Sequence, residues 1–192
     1  MKKTLLLTAL FISSILFSQS HVEIDGIKIE KSIKVKDGND KTKLSLNGYG
    51  IRDKMWINLY VQALYLEKKT DNADEILNSK NTIATRLYIT STLVTRQKLI
   101  KAIEEGMEKS YKGDLDPLRD RLNKFMSFFE NELKAEGYVE FVYSQNDEKT
   151  YVFLNDDIIG EIEGLDFRKA LFGIWLEERA VDKTLKRRLL GK

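Results

Sequence analysis

The chain predicts an α+β fold built on an antiparallel sheet, and three observations predict it. Alternating segments come in groups, several before residue 70 and three more between Tyr138 and Glu163. Helical stripes of 3.6-residue period follow each group, without the strict strand–helix–strand order of a doubly wound parallel sheet. Short turn signals join neighbouring strands, as they do in antiparallel hairpins.

Taken in order, residues 1–20 read as an export signal. Lys2 and Lys3 precede an apolar run from Leu5 to Phe17, and Ser18 and Ser20 stand at −3 and −1 before His21. The run is shorter than the ~20 apolar residues of a membrane-spanning helix, and no later segment reaches that length. One domain is expected over 21–192, exported to the periplasm or secreted after cleavage near Ser20. The chain has no cysteine, so the fold holds without disulfides and no cysteine-linked lipid anchors it.

Residues 22–36 read as short strands, with Asp25-Gly26 as a hairpin turn between Val22/Ile24 and Ile27/Ile29. A second turn falls at 37–40. Residues 43–51 form a strand that runs into Gly48-Tyr49-Gly50, expected to be a bend. Across 54–66 period two places Met55, Ile57, Leu59, Val61, Ala63 and Tyr65 on a core face. Tyr60 then lies on the more polar face with Asn58 and Gln62, and Tyr65 is a core aromatic. Along one straight strand, residues 52 and 60 would stand ~27 Å apart at ~3.4 Å per residue. Sharing a site therefore requires the chain to fold back, and Asp53-Lys54 is the expected bend.

A short helix is expected at 73–79 and a strand at 82–91. The helix over 95–111 carries Leu99, Ile103 and Gly106 beside Ile100, Met107 and Tyr111 on one stripe. Asp116-Pro117 reads as a cap and first-turn proline, opening a helix to 136 with Leu118, Leu122, Phe125, Phe129 and Leu133 on one face and Gly137 as its stop. Strands over 138–144, 149–154 and 158–163 make a meander. Asp166 is expected to cap a helix through Trp175, and a last helix covers 182–190.

Charge and chemistry exclude much. Residues 1–20 hold two lysines and no acid, so the 32 basic and 30 acidic residues of the whole chain balance at 30 each afterwards. That gives no broad pull toward nucleic acid, and the basic cluster of Lys183, Lys186, Arg187 and Arg188 reads as a solvated helix face. His21 is the only histidine, which excludes a Ser-His-Asp triad and a histidine metal site. No phosphate loop is present, and no metal or cofactor is expected. The adjacent acids Glu104-Glu105, Asp156-Asp157 and Glu177-Glu178 point different ways and read as solvated charge. Arg52 and Tyr60 remain. A guanidinium fork suits a carboxylate or an enolate, and a phenol adds a hydrogen bond. Spacing alone also allows an exposed loop arginine and an ordinary strand tyrosine.

L-N-G-Y-G-I-R (46–52) followed by N-L-Y-V-Q-A-L-Y-L (58–66) resembles the signature of chalcone isomerase-like proteins, an L-x-G-x-G-x-R turn before a V-Y-x-x-x-L-Y-L strand. F-G-I-W-L-E-E-R-A-V-D-K-T-L-K-R-R-L-L-G (172–191) is similar to that family's ending, with its W-L-G, P-V-D and L-L-G landmarks. The resemblance implies an open-faced β-sandwich, a large antiparallel sheet covered by helices with a ligand cleft between. In plant isomerases the arginine steers a phenolate during closure of a chalcone. In non-catalytic relatives it holds a fatty-acid carboxylate together with a tyrosine. Arg52 matches that arginine, and Tyr60 matches the tyrosine of the fatty-acid binders. Isomerases also present a tyrosine and an asparagine from a helix; Lys98 and Glu105 stand there in this chain as cleft candidates and would not reproduce that hydrogen-bond set. The resemblance thus implies an exported, non-catalytic domain binding a small amphipathic ligand such as a fatty acid, with apolar residues of the Leu99 and Leu122 helices along its tail. The alternatives are an isomerase or intramolecular lyase acting on a chalcone-like enone, and a ligand-free structural or interaction module.

Overall fold

The computed structural model of the chain describes residues 20–129 and 137–192. The expected signal peptide, except Ser20, and the end of the helix expected to reach 136, with Leu133, lie outside the described residues. β1 (His21–Ile24) and β2 (Ile27–Glu30) form a hairpin whose Asp25 and Gly26 both take positive φ, 52° and 75°. That is the conformation a two-residue turn matched to strand twist requires.

Seven further strands make one antiparallel sheet in sequence order: β3 (Ser32–Asp37), β4 (Asp40–Lys54), β5 (Ile57–Leu66), β6 (Ile83–Ile89), β7 (Tyr138–Ser144), β8 (Lys149–Leu154) and β9 (Asp157–Glu163). α1 (Ala73–Asn78) joins β5 to β6. α2 (Arg96–Ser110), a 3-10 turn (Asp116–Leu118) and α3 (Arg119–Ser127) stand between β6 and β7 in sequence. α4 (Leu165–Leu176) and α5 (Lys183–Leu189) follow β9.

Both faces of the sheet are covered. On one, Leu64, Leu87, Phe141 and Val152 meet Leu99, Ile103, Leu122, Phe125, Phe167 and Trp175 of the helices. On the other, Ile29 of the β1–β2 hairpin packs with Leu44, Val61, Ala63, Tyr65 and Val142. This corrects the expected polar face of β5. Its even residues Tyr60, Leu64 and Leu66 enter the larger core, while the odd residues Val61, Ala63 and Tyr65 enter the smaller one. A strand buried on both faces carries no clean alternation. Gln62 fits there because its Nε2 donates to Thr85 Oγ1 at 2.9 Å.

The expected bend at Gly48–Gly50 is instead part of continuous β4, whose pairing with β5 shifts register at Asn47, between the pairs Leu46–Tyr65 and Gly48–Leu64, and again between Arg52–Tyr60 and Asp53–Asn58. The two glycines have another use. A Cβ on Gly48 would collide with the backbone of Arg188 and Leu189, and one on Gly50 would stand 2.9 Å from Arg188 Cβ. The missing side chains are what let α5 lie directly on the strand. The reversal falls at Met55-Trp56, not at Asp53-Lys54, and both residues take left-handed φ, 52° and 68°.

Two helix starts also differ from expectation. Gly164 (φ 103°) precedes α4, so Asp166 lies in the first turn rather than at the cap, and pairs with Arg121 at 2.6 Å. Asp116-Pro117 opens the 3-10 turn that leads into α3. Arg168 is fully buried, and its guanidinium donates to the carbonyls of Ile76, Leu77 and Ser79 at the end of α1. A cation there complements the helix's negative end, while burial lowers its pKa to about 10. Among the described residues, no helix is long and apolar enough to cross a membrane, and no cluster of acids and histidine could hold a metal.

Candidate functional site

The β4–β5 hairpin brings Arg52 and Tyr60 together as direct cross-strand partners. Opposed residues on one face hold their Cβ atoms about 5 Å apart, against the ~27 Å of a straight strand. Both lie on the side covered by helices.

Each has a helix partner. Arg52 Nη1 donates to Asp53 O at 2.8 Å and to Asp182 Oδ2 at 2.9 Å. Asp182 caps α5, its Oδ1 accepting from Leu185 N at 2.9 Å. One carboxylate therefore starts the helix and fixes that helix to the sheet arginine. The pair is mostly shielded from solvent. Trp175 Nε1, from α4, donates to Tyr60 OH at 3.0 Å. Tyr60 is 9% exposed. Burial pushes its pKa up to about 12, against the lowering effects of the Trp175 hydrogen bond and the Arg52 charge. The phenol is thus protonated at neutral pH and keeps its own proton to donate.

Both Arg52 bonds leave from Nη1. The other donors of the fork can serve the neighbouring phenol or an added anion. Beneath the pair the surroundings turn apolar: Trp175 stacks on Phe141 with centroids 6.2 Å apart, and Phe125 touches Phe129, Phe141 and Phe167. The arrangement is a polar head set over an aromatic and aliphatic interior. Among the described residues, it includes no carboxylate, thiol or imidazole placed to move a proton beyond Asp182, which is occupied by Arg52 and the α5 cap.

Lys98 and Glu105 are not part of it. Both are exposed on the outer side of α2, and Glu105 faces Lys101 at 3.6 Å one turn away. The residues α2 turns inward are Leu99, Ile103, Gly106, Met107 and Ser110. The helical period explains the correction, since positions 98 and 105 sit one residue before two members of the buried stripe. Asp182 and Trp175 are the site residues that sequence reasoning missed. Both stood inside the C-terminal stretch that carried the resemblance, Asp182 read there only as a helix start and Trp175 as a helix end.

Comparison with known proteins agrees with this fold. The chain is similar in structure to a fatty-acid binding protein of Arabidopsis thaliana, with a TM-score of 0.66 and 16% sequence identity over 86% of this chain and 92% of that one. At that identity the likeness is one of fold. No curated protein matches the chain in sequence. The sequence model of the chalcone isomerase-like family matches residues 21–191, nearly all of the described chain, and the protein belongs to that family.

Proposed function

We propose that this protein binds a small amphipathic ligand with an acidic head, such as a fatty acid, and does not transform it. The observation that carries the reading is the pairing of Arg52 with Tyr60 on the helix-covered side of the sheet, within a fold shared with a fatty-acid binding protein. The ligand carboxylate takes the guanidinium fork and the Tyr60 proton. Its tail runs toward the apolar side chains of α2 and α3. Asp182 now occupies part of the fork, so a ligand carboxylate shares or displaces it, and the first turn of α5 yields as it does so. The inward face of α2 is apolar but for Ser110 at its last residue, which supports an aliphatic tail over a polyphenol. Export is part of the proposal, with the mature chain beginning at His21.

Native mass spectrometry of protein purified from its own compartment tests this. The expected result is a co-purifying fatty acid, lost in Arg52→Ala, on a chain whose first residue is His21. The 2.9 Å Arg52–Asp182 pair supports a second reading, in which the arginine serves only to fasten α5. A protein that carries no lipid, and whose affinity for added fatty acid is the same in Arg52→Ala, would leave that second reading standing. A first residue of Met1 in the exported fraction would remove the cleavage proposal.

A further inference from the structure

β4 changes partners along its length: β3 pairs with Asp40–Ser45 on one side and β5 with Ser45–Lys54 on the other. β3 covers it as far as the pair Ser32–Ser45, and Leu46 N donates to Lys31 O at 2.9 Å. Beyond the Asn47 bulge, β5 remains its only strand partner. Leu59 O accepts from Thr90 N beside β6. Alternation turns the backbone groups of Val61 the same way, and therefore turns those of Ile51, its partner in β4, toward the open side. The same reasoning applies to Tyr49 opposite Ala63. Among the described residues, the N–H groups of Tyr49 and Ile51 have no hydrogen-bond acceptor.

This open edge forms the floor of a groove of about 1020 Å³. The β1–β2 hairpin walls one side with the half-buried Val22 and Ile24, continuing the apolar surface of Tyr49 and Ile51. α5 walls the other side with Thr184 and Arg188. Lys31 and Lys69 also line the groove, and with Arg188 they form no ion pair among the described residues. Two acids, Glu23 and Asp53, line it as well, so the cationic excess lies toward α5 and the loop at Lys69.

We propose that this groove receives an extended segment of a partner protein, added to the sheet as a strand beside Gly48–Asp53. The walls dictate its pattern. Side chains of a strand alternate between faces, so one set meets the apolar hairpin wall and the other meets the cationic α5 wall. The segment thus alternates apolar and acidic residues over about six positions, the ~20 Å of open edge at ~3.4 Å per residue. A wall on each side fits a single strand and obstructs the edge of a second copy, whose own hairpin and α5 would collide with these. The proposal rests on the edge of β4 rather than its helix-covered face, and shares only the α5 wall with the lipid reading.

The test uses a capped hexapeptide alternating glutamate and valine. At saturation it is expected to slow hydrogen exchange at the Tyr49 and Ile51 amides at least tenfold, leaving the interior β5 amides unchanged. Replacing its glutamates by lysine is expected to weaken binding at least tenfold, and Arg188→Glu to reverse that preference. Ile51→Pro removes an edge N–H without a partner in the fold, a position where proline is tolerated, and is expected to abolish binding. Should that variant fail to fold, Arg188→Glu paired with Lys69→Glu carries the same test. Unchanged exchange at the two amides, equal binding of the lysine peptide, or protection of the edge by self-association without peptide would each overturn the proposal.

Discussion

The two ends of the sheet are built on opposite plans. At the end holding the β3–β4 and β7–β8 turns, one buried carboxylate gathers the chain. Asp37 Oδ2 accepts from Thr42 Oγ1 and Thr82 Oγ1, each at 2.8 Å, and Oδ1 accepts from Ser144 Oγ at 2.8 Å and Asn146 N at 3.0 Å. These four donors come from three separate stretches, so the sheet curls until its first strand is tied to the β7–β8 turn. Beside it Asp147 Oδ2 accepts from Gly38 N and Tyr151 OH. At the other end Met55 and Trp56 hold left-handed backbone, Trp56 is fully exposed, and Ile57, Leu93 and Ile158 are exposed with it. These are all of the exposed large apolar side chains among the described residues. The first end spends its polar groups on one another. The second leaves apolar surface uncovered and holds its arginine with a helix-cap aspartate. Buried polar bonding is concentrated at one end, and the exposed apolar side chains and the candidate Arg52–Tyr60 pair stand at the other.

Breaking the first end should have the largest effect. Asp37→Ala leaves four donors without their acceptor, and each buried unsatisfied group costs about 1–3 kcal/mol, so a loss of at least about 3 kcal/mol is expected in urea unfolding. The pH dependence shows the same network. Burial alone would raise the Asp37 pKa, but the hydrogen bonds from Asn146, Ser144, Thr42 and Thr82 outweigh it and hold the group below the ordinary carboxylate value of 3.8. Its contribution is fully present above that value and drains away as pH falls through the folded one. An Asp37→Asn variant should therefore start less stable at neutral pH and lose less on acidification; parallel stability curves from pH 7 to pH 3 would contradict this.

The second expected effect concerns the seat of α5 on β4. In Gly48→Ala the new methyl meets the α5 backbone at Arg188 and Leu189. Overpacking of this kind costs about 1–3 kcal/mol, and here it also lifts Asp182 away from Arg52. Urea unfolding should show the loss and fatty-acid affinity should change with it. Gly48→Ala with wild-type stability would mean that α5 is not seated as described.

These two residues also show what a sequence discloses. The antiparallel plan, the meander, α2 and the start of the last helix were legible, because each is encoded by residues adjacent in the chain. The roles of Gly48 and Gly50 were not. Paired glycines announce a bend locally, and only the arrival of a helix some 140 residues later makes them a flat seat. Met55-Trp56 was illegible for the converse reason. Two-residue reversals are signalled by Asn-Gly or Asp-Gly, as at Asp25-Gly26, and this one uses neither. Arg52 and Tyr60 were found through a motif, whereas Asp182 and Trp175 became site residues only through tertiary contact. Lys98 and Glu105 were misplaced by one position in a period of 3.6, enough to move them from the cleft to solvent.

The third comparison reverses the sign. Replacing Met55-Trp56 by Asn-Gly relieves left-handed strain, about 1–2 kcal/mol at the position that becomes glycine and less at the one that becomes asparagine, so the double variant should be more stable by at least about 1 kcal/mol. A gain in unfolding free energy, read beside the loss in Asp37→Ala, would show that strain sits at one end and satisfaction at the other. No gain would mean that contacts of the exposed tip already offset the strain.

The smallest effect on stability belongs to Asp182→Asn, and it separates binding from fastening most cleanly. Asparagine caps a helix about as well as aspartate, so the start of α5 survives. What goes is a mostly shielded charge pair whose side chains are still 20% and 12% exposed, and where solvent reaches such a pair it contributes on the order of 1 kcal/mol. If Arg52 exists to fasten α5, the variant is slightly less stable and nothing else changes. If Arg52 exists to hold a ligand head, removing the internal carboxylate frees the fork, and fatty-acid affinity should rise severalfold while stability hardly moves. Affinity that stays flat or falls, measured by fluorescent fatty-acid displacement, would assign Asp182 to the ligand site itself or exclude Arg52 from it. The same substitution therefore tests whether the loosely satisfied end of the sheet is held in reserve for a ligand.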